Sequence, residues 1–224
     1  MTTPHDTIDG EAQAEVSLRP PLAAIVIIGL LFIAAVIFVV SSLRQSTPLT
    51  WYPVSLTDPQ EVGDRLAGPS VFTVDARGDS LTFFDFSTGS VVGSPDPLGW
   101  DLAFRRFAIL ANGGPDFAGQ GGILDLGITS LDSLATVPSN GYTVNTPGTE
   151  VSNTATAQWY EYSWTSHILS PKPNLFAVRT ADSRYAVFQI LSYYCPAAQA
   201  GCMTIRYRYQ GAGGTVFARR PTGR

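Results

Sequence analysis

The sequence predicts an all-β protein, a single antiparallel β-rich domain tethered by one amino-terminal transmembrane helix. Three observations carry that expectation. Val, Thr, Tyr and Phe are frequent, Lys occurs once, and 21 Gly and 16 Pro punctuate the chain, which suits pleated strands joined by turns. Met203, Ile205, Tyr207 and Tyr209 alternate with Thr204, Arg206 and Arg208, the period of two expected of a half-buried strand. Leu22 to Val40 is a run of 19 residues with no charge, hydroxyl or side-chain amide. As a helix it spans about 28 Å, close to the thickness of a bilayer's hydrocarbon core.

Taken in order, residues 1–21 read as a cytoplasmic tail, in which Asp6, Asp9, Glu11 and Glu15 face Arg19 alone. Residues 22–42 read as the transmembrane helix, which satisfies its own backbone hydrogen bonds in lipid. A cleaved signal peptide has a shorter apolar stretch, a basic start and a small-residue cleavage site, so a retained anchor is favoured and the bilayer is the first expected partner. Residues 43–69 form a juxtamembrane linker and the approach to the domain, with Trp51 and Tyr52 either in the headgroup belt or at the start of the fold. Residues 70–211 form the domain. Within it Val71–Val74 and Leu81–Phe86 read as strands, Ser87-Thr88-Gly89 as a turn, and the glycine-rich stretches 113–122 and 211–214 as loops. Residues 212–224 read as a basic tail carrying Arg219, Arg220 and Arg224.

Arg19 and Arg44 flank the apolar run, so charge barely decides its orientation. The two cysteines do. Cys195 and Cys202 lie between two strand-like runs with Pro196 and Gly201 between them, placed to meet across the base of a hairpin loop. Such bonds persist in oxidising compartments, which puts the carboxy-terminal domain outside the cytoplasm, periplasmic or at the cell surface, on a single-pass membrane protein. Two thiolates at this spacing lack the further ligands of a zinc site; a reduced pair is the remaining alternative.

Trp100 to Gly114, WDLAFRRFAILANGG, fits either period: Trp100, Ala103, Phe104, Phe107, Leu110 and Ala111 as a helical stripe, or Trp100, Leu102 and Phe104 as a strand face. This segment resembles the signature of the HmuY family, extracytoplasmic β-rich proteins that bind haem. ATVPSNGYTVN at 135–145, NLFAVRTADSRYAVFQILSYY at 174–194 and MTIRYRYQG at 203–211 resemble later blocks of the same family, in its order, over roughly residues 70–211. The resemblance implies a HmuY-like β fold and a strand for the signature. It also implies a function in binding rather than catalysis, with haem or another tetrapyrrole as the ligand class.

An enzyme is not expected. Outside the acidic tail the chain has one histidine, His167, and neither GxSxG nor HExxH occurs, so no nucleophile or zinc-hydrolase arrangement is apparent. The carboxylates Asp101, Asp116, Asp125, Asp132, Glu150, Glu161 and Asp182 are scattered. Asp101, inside the signature, is expected to make buried hydrogen bonds.

Haem iron is usually held by His, Met, Cys or Tyr. The resemblance implies two ligands on loops between the GYTV block and the NLFAVRT strand. Here that interval, Asn145 to Pro173, holds one histidine and no methionine. His167 is the candidate metal ligand, although Trp164 lies nearer a family ligand position; a histidine there is otherwise a surface side chain. A second ligand would come from Tyr160, Tyr162 or Met203, and Met203 shares a strand face with Ile205 and Tyr207, which suits a core position. Ligation by two histidines of this domain is excluded by counting.

The alternative is a non-catalytic accessory or structural subunit of a larger membrane complex, such as an electron-transfer or photosynthetic assembly, that has kept the fold and lost haem ligation. A helix replaces the lipidated cysteine expected near the start of such lipoproteins. Ala23, Ala24, Gly29, Ala34 and Ala35 are small residues that let helices approach. Nucleic acid is not an expected partner, because the net charge is −4 and basic residues do not cluster in the domain.

Overall fold

The structure, a computed structural model, describes residues 21–43, 49–148 and 151–218. The acidic tail and the basic residues Arg219, Arg220 and Arg224 lie outside the described residues. The chain divides into two units, 1–47 and 48–224.

In the first unit, helix α1 (Leu22–Leu43) forms where the uncharged run stands. Pro21 precedes it and its carbonyl accepts from Ala24 N and Ile25 N, a position where a missing proline N–H costs nothing. Large side chains are exposed all round the helix, from Ile25 to Val40. A helix apolar on every side needs an apolar surrounding, and α1 is long and apolar enough to cross a membrane.

The second unit is built on two antiparallel sheets. The larger contains β1 (Leu66–Asp75), β6 (Gly122–Ile128), β9 (Asn174–Arg179), β10 (Tyr185–Tyr194) and β11 (Ala200–Gln210), in the order β1-β11-β10-β9-β6. The smaller contains β2 (Thr82–Asp85), β3 (Ser90–Val92), β4 (Leu102–Arg105) and β5 (Ala108–Ala111), in the order β3-β2-β4-β5. A short hairpin, β7 (Tyr160–Tyr162) with β8 (Leu169–Pro171), stands apart.

The alternation read in 203–209 decides which side of β11 meets the core. Met203, Ile205, Tyr207 and Tyr209 enter the main apolar cluster with Phe72, Phe188, Phe84, Leu102 and Phe104. Ring contacts cross from one sheet to the other, Phe84 to Tyr207 at 5.5 Å and Phe84 to Phe72 at 5.2 Å. The opposite side of the large sheet is also covered: Leu175, Ala177 and Val187 pack with Leu131, Val137 and Phe217. Phe217, in the stretch set apart as a tail, is fully buried there, and Val137 N donates to Thr215 O.

The signature segment is a hairpin of two strands. Arg105 and Ala108 close a two-residue turn in which Arg106 takes a φ of 52°. Leu102, Phe104, Ile109 and Ala111 face the inter-sheet core, while Trp100, Ala103 and Leu110 pack with Phe83 and Phe117 on the other side. Burial on both faces erases the alternation by which a strand is recognised. The two glycines that close the signature are needed for close approach. A Cβ on Gly113 would lie 1.9 Å from Gly121 O, and one on Gly114, at φ +106°, 2.7 Å from Asn145 O.

Cys195 and Cys202 form the expected disulfide across the β10–β11 connection, with Cα atoms 4.9 Å apart. Residues 86–89 form the expected turn. In the glycine-rich stretch 113–122 the loop ends one residue early, because Gly122 opens β6. Trp51 begins the fold, bridging in parallel to Tyr194.

Candidate haem-binding hairpin

Three-residue strands cannot stand alone in water, so the β7–β8 hairpin depends on its anchors. Leu169 N donates to Tyr194 Oη at 2.8 Å and Lys172 N to Trp159 O at 2.9 Å. Trp159, only 1% exposed, donates its Nε1–H to Phe107 O at 2.8 Å. The hairpin is thus tied to the edge of the signature and to the end of β10.

Its turn, residues 163–168, is closed by Ser163 N to Ile168 O (2.9 Å) and His167 N to Ser163 O (2.8 Å). His167 has a φ of 56°, a left-handed conformation in which histidine is found more often than most residues. Its exposed side chain turns back on the hairpin, and Nδ1 is hydrogen-bonded to Tyr162 Oη. Trp164 meets Tyr162 edge-on at 5.1 Å and is 82% exposed.

The structure therefore brings together two of the four candidate ligand residues, His167 and Tyr162. Tyr160 lies two positions away on the same strand, stacked edge-on against Phe107 at 6.2 Å. Met203 is elsewhere. It is fully buried opposite Val74, inside the inter-sheet core, and meets no solvent.

When Nδ1–H donates to the tyrosine oxygen, Nε2 keeps its lone pair, and among the described residues nothing bonds Nε2. A histidine fixed through one nitrogen and open at the other is the usual form of a metal-ligating imidazole. The exposed rings beside it offer apolar surface to a flat ligand. Among the described residues no group of three His, Cys, Asp or Glu side chains is arranged to hold a bare metal ion.

The polar residues of the signature do something different. Asp101, 4% exposed, accepts from Phe86 N at 3.0 Å and from Ala181 N at 2.9 Å, the buried bonds the sequence implied. Burial, and then the nearby Asp85 carboxylate, hold Asp101 well above the usual carboxylate range, against the pull of those two amides. Asn112 donates to Pro97 O and Trp100 O and accepts from Gly119 N. Asn145 donates to Ala111 O and Gly113 O, and its Oδ1 accepts from Ala111 N and Asn153 Nδ2. These asparagines were not singled out from the sequence. Their one visible mark is position, each ending an apolar or strand-like run inside a family block.

The HmuY protein family profile matches residues 78–207. Solved structures share the fold at low identity. An apo HmuY analog from Tannerella forsythia superposes with a TM-score of 0.54 at 15% identity, covering 67% of this chain and 99% of that one. A Bacteroides vulgatus protein named for likeness to HmuY and for heme binding gives 0.52 at 17%, covering 68% and 96%. A Bacteroides fragilis protein classed as a lipoprotein gives 0.52 at 18%, covering 73% and 95%. No curated protein matches the chain.

Proposed function

The chain belongs to the HmuY family, and from that premise we propose that it is a membrane-tethered, extracytoplasmic protein that binds haem or a related tetrapyrrole through His167. The observation that carries the reading is the Tyr162–His167 pair on the exposed β7–β8 turn. Tyr162 would orient the imidazole, His167 would hold the iron through Nε2, and the neighbouring rings would offer apolar surface to the ligand. Bound haem would supply an iron centre to be carried rather than a reaction to be catalysed. The disulfide supports a location outside the cytoplasm, where such bonds persist, and α1 supplies the tether.

One histidine gives weaker binding than a pair. Haem titration of the full chain in mild detergent should give a high-spin Soret change. His167→Ala should weaken binding by on the order of tenfold or more, since even outer-shell changes at metal sites cost that much. Tyr162→Phe should weaken it less. A tight six-coordinate spectrum that survives His167→Ala would place the site elsewhere.

A further inference from the structure

Exposed rings gather at the hairpin in two pairs, one at each end of β7. Phe107 is 50% exposed and meets Tyr160; Tyr162 is 39% exposed and meets Trp164, itself 82% exposed. Trp51, 49% exposed, belongs to the same end of the domain. It bridges to Tyr194, and the Tyr194 hydroxyl accepts from Leu169 N of the hairpin. The Thr50 carbonyl accepts from Ser192 Oγ on β10 as well. The strand that carries the chain into the domain is therefore bonded to the strand end that holds the hairpin.

Large aromatic side chains left in water cost free energy, and tryptophan and tyrosine are the residues that concentrate at the membrane–water boundary. The length of the connecting chain restricts what can cover these rings. Only residues 44–48 separate the end of α1 from Leu49. Six steps of fully extended chain reach about 20 Å at most. If α1 spans a bilayer, Leu49, two residues before Trp51, is tethered within that reach of the membrane surface. We infer that Trp164, Tyr162, Phe107 and Trp51 seat in the headgroup layer of the membrane that α1 enters, so that the domain rests on the lipid surface by its hairpin end. This rests on the reading of α1 as a membrane span. It does not require haem.

Tryptophan emission tests it directly. The chain has four tryptophans and α1 contains none; Trp100 and Trp159 are buried at 5% and 1% exposure. The full chain is reconstituted into phosphatidylcholine vesicles with or without bromine at shallow acyl positions. Resistance to alkaline extraction reports α1 insertion separately. The expected result is extraction-resistant protein whose emission falls by roughly a third to a half in brominated lipid, since the boundary-seeking indoles are the exposed ones. Trp164→Phe should remove the larger part of that loss, Trp51→Phe the remainder, and His167→Ala none of it. Extraction-resistant protein with no bromine quenching would overturn the docking while leaving the span intact. Complete release by alkali would overturn both. A concentration-dependent blue shift of Trp164 without quenching would assign the rings to a second copy of the chain and overturn the lipid reading.

Discussion

Replacing Asn145 by alanine should be among the most damaging single changes in the domain, although the residue is polar and lies outside the β7–β8 hairpin. Its side chain is 2% exposed and makes four hydrogen bonds, to Ala111 O at 2.5 Å, Gly113 O at 2.9 Å, Ala111 N at 3.2 Å and Asn153 Nδ2 at 3.1 Å. Three of the four go to backbone groups at the end of the signature hairpin. Alanine supplies none: Ala111 O still accepts from Gly113 N, Gly113 O from the backbone N–H of residue 145, and Asn153 Nδ2 still reaches Thr143 O, so the buried Ala111 N–H is the group most affected by the loss. At about 1 kcal/mol net for each lost bond, the cost is about 4 kcal/mol. For a domain of this size that lowers the melting temperature by roughly 8–16 °C. Denaturant unfolding of the full chain in mild detergent, followed by tryptophan emission, measures it. Asn140→Ala, at an exposed position, should stay within about 0.5 kcal/mol of wild type. Asn145→Asp would set a carboxylate against two carbonyls and should be worse near neutral pH, recovering in part as acid protonates it. A loss below about 1 kcal/mol for Asn145→Ala would refute the claim that this residue clamps the signature.

Reduction of Cys195–Cys202, which closes a loop with a sequence separation of 7, should cost about 2.5 kcal/mol from loop entropy; unfolding with and without reductant measures it, and quantitative alkylation of both thiols in untreated native protein would contradict the bond. Asp101 should give stability an unusual pH dependence. Its folded value is raised above an unfolded value of about 3.9, so the folded state holds the extra proton between the two, and stability from this group falls as pH rises through that window. Melting curves from pH 4 upward should show that decline, and Asp101→Asn, less stable overall for the amide bond it loses, should flatten it. An unchanged slope in the variant would refute the assignment.

What the sequence displays depends on the chemistry of the faces an element buries. β11 was legible because Met203, Ile205, Tyr207 and Tyr209 form an apolar core face and the alternate residues are polar. It is not half-buried as expected: Thr204 is buried against Thr73, and Arg208 is buried with its guanidinium donating to Leu131 O and Phe217 O. The signature hairpin was not legible, because Phe104 and Ala103 are both fully buried on opposite sides; only its likeness to a family block marked it as strand. The same holds for β9, in which Leu175 and Phe176 belong to different clusters. The disulfide was legible from spacing and flanking residues. The β7–β8 hairpin was not, since strands of three residues carry too little pattern and its stability comes from Tyr194 and Trp159, neither of them within it. His167 was found by counting, but its pairing with Tyr162 depends on a turn conformation that no periodicity announces.

The residues that make the family recognisable are not the residues proposed to bind its ligand. Asp101 joins the signature to Phe86 and Ala181, Asn112 closes the loop after β5 onto Trp100, and Asn145 ties the GYTVN block to the same loop. Each satisfies buried backbone groups that would otherwise cost about 1–3 kcal/mol apiece, so each resists replacement for reasons internal to the fold. His167, Tyr162 and Trp164 are exposed on the β7–β8 hairpin, where surface loops carry function rather than the core. An exposed histidine hydrogen-bonded through Nδ1 to Tyr162, with Nε2 left open, is the physical case for proposing a ligand at the hairpin. The signature, however well it matches, speaks for the architecture, and the proposal of an iron ligand rests on His167 alone.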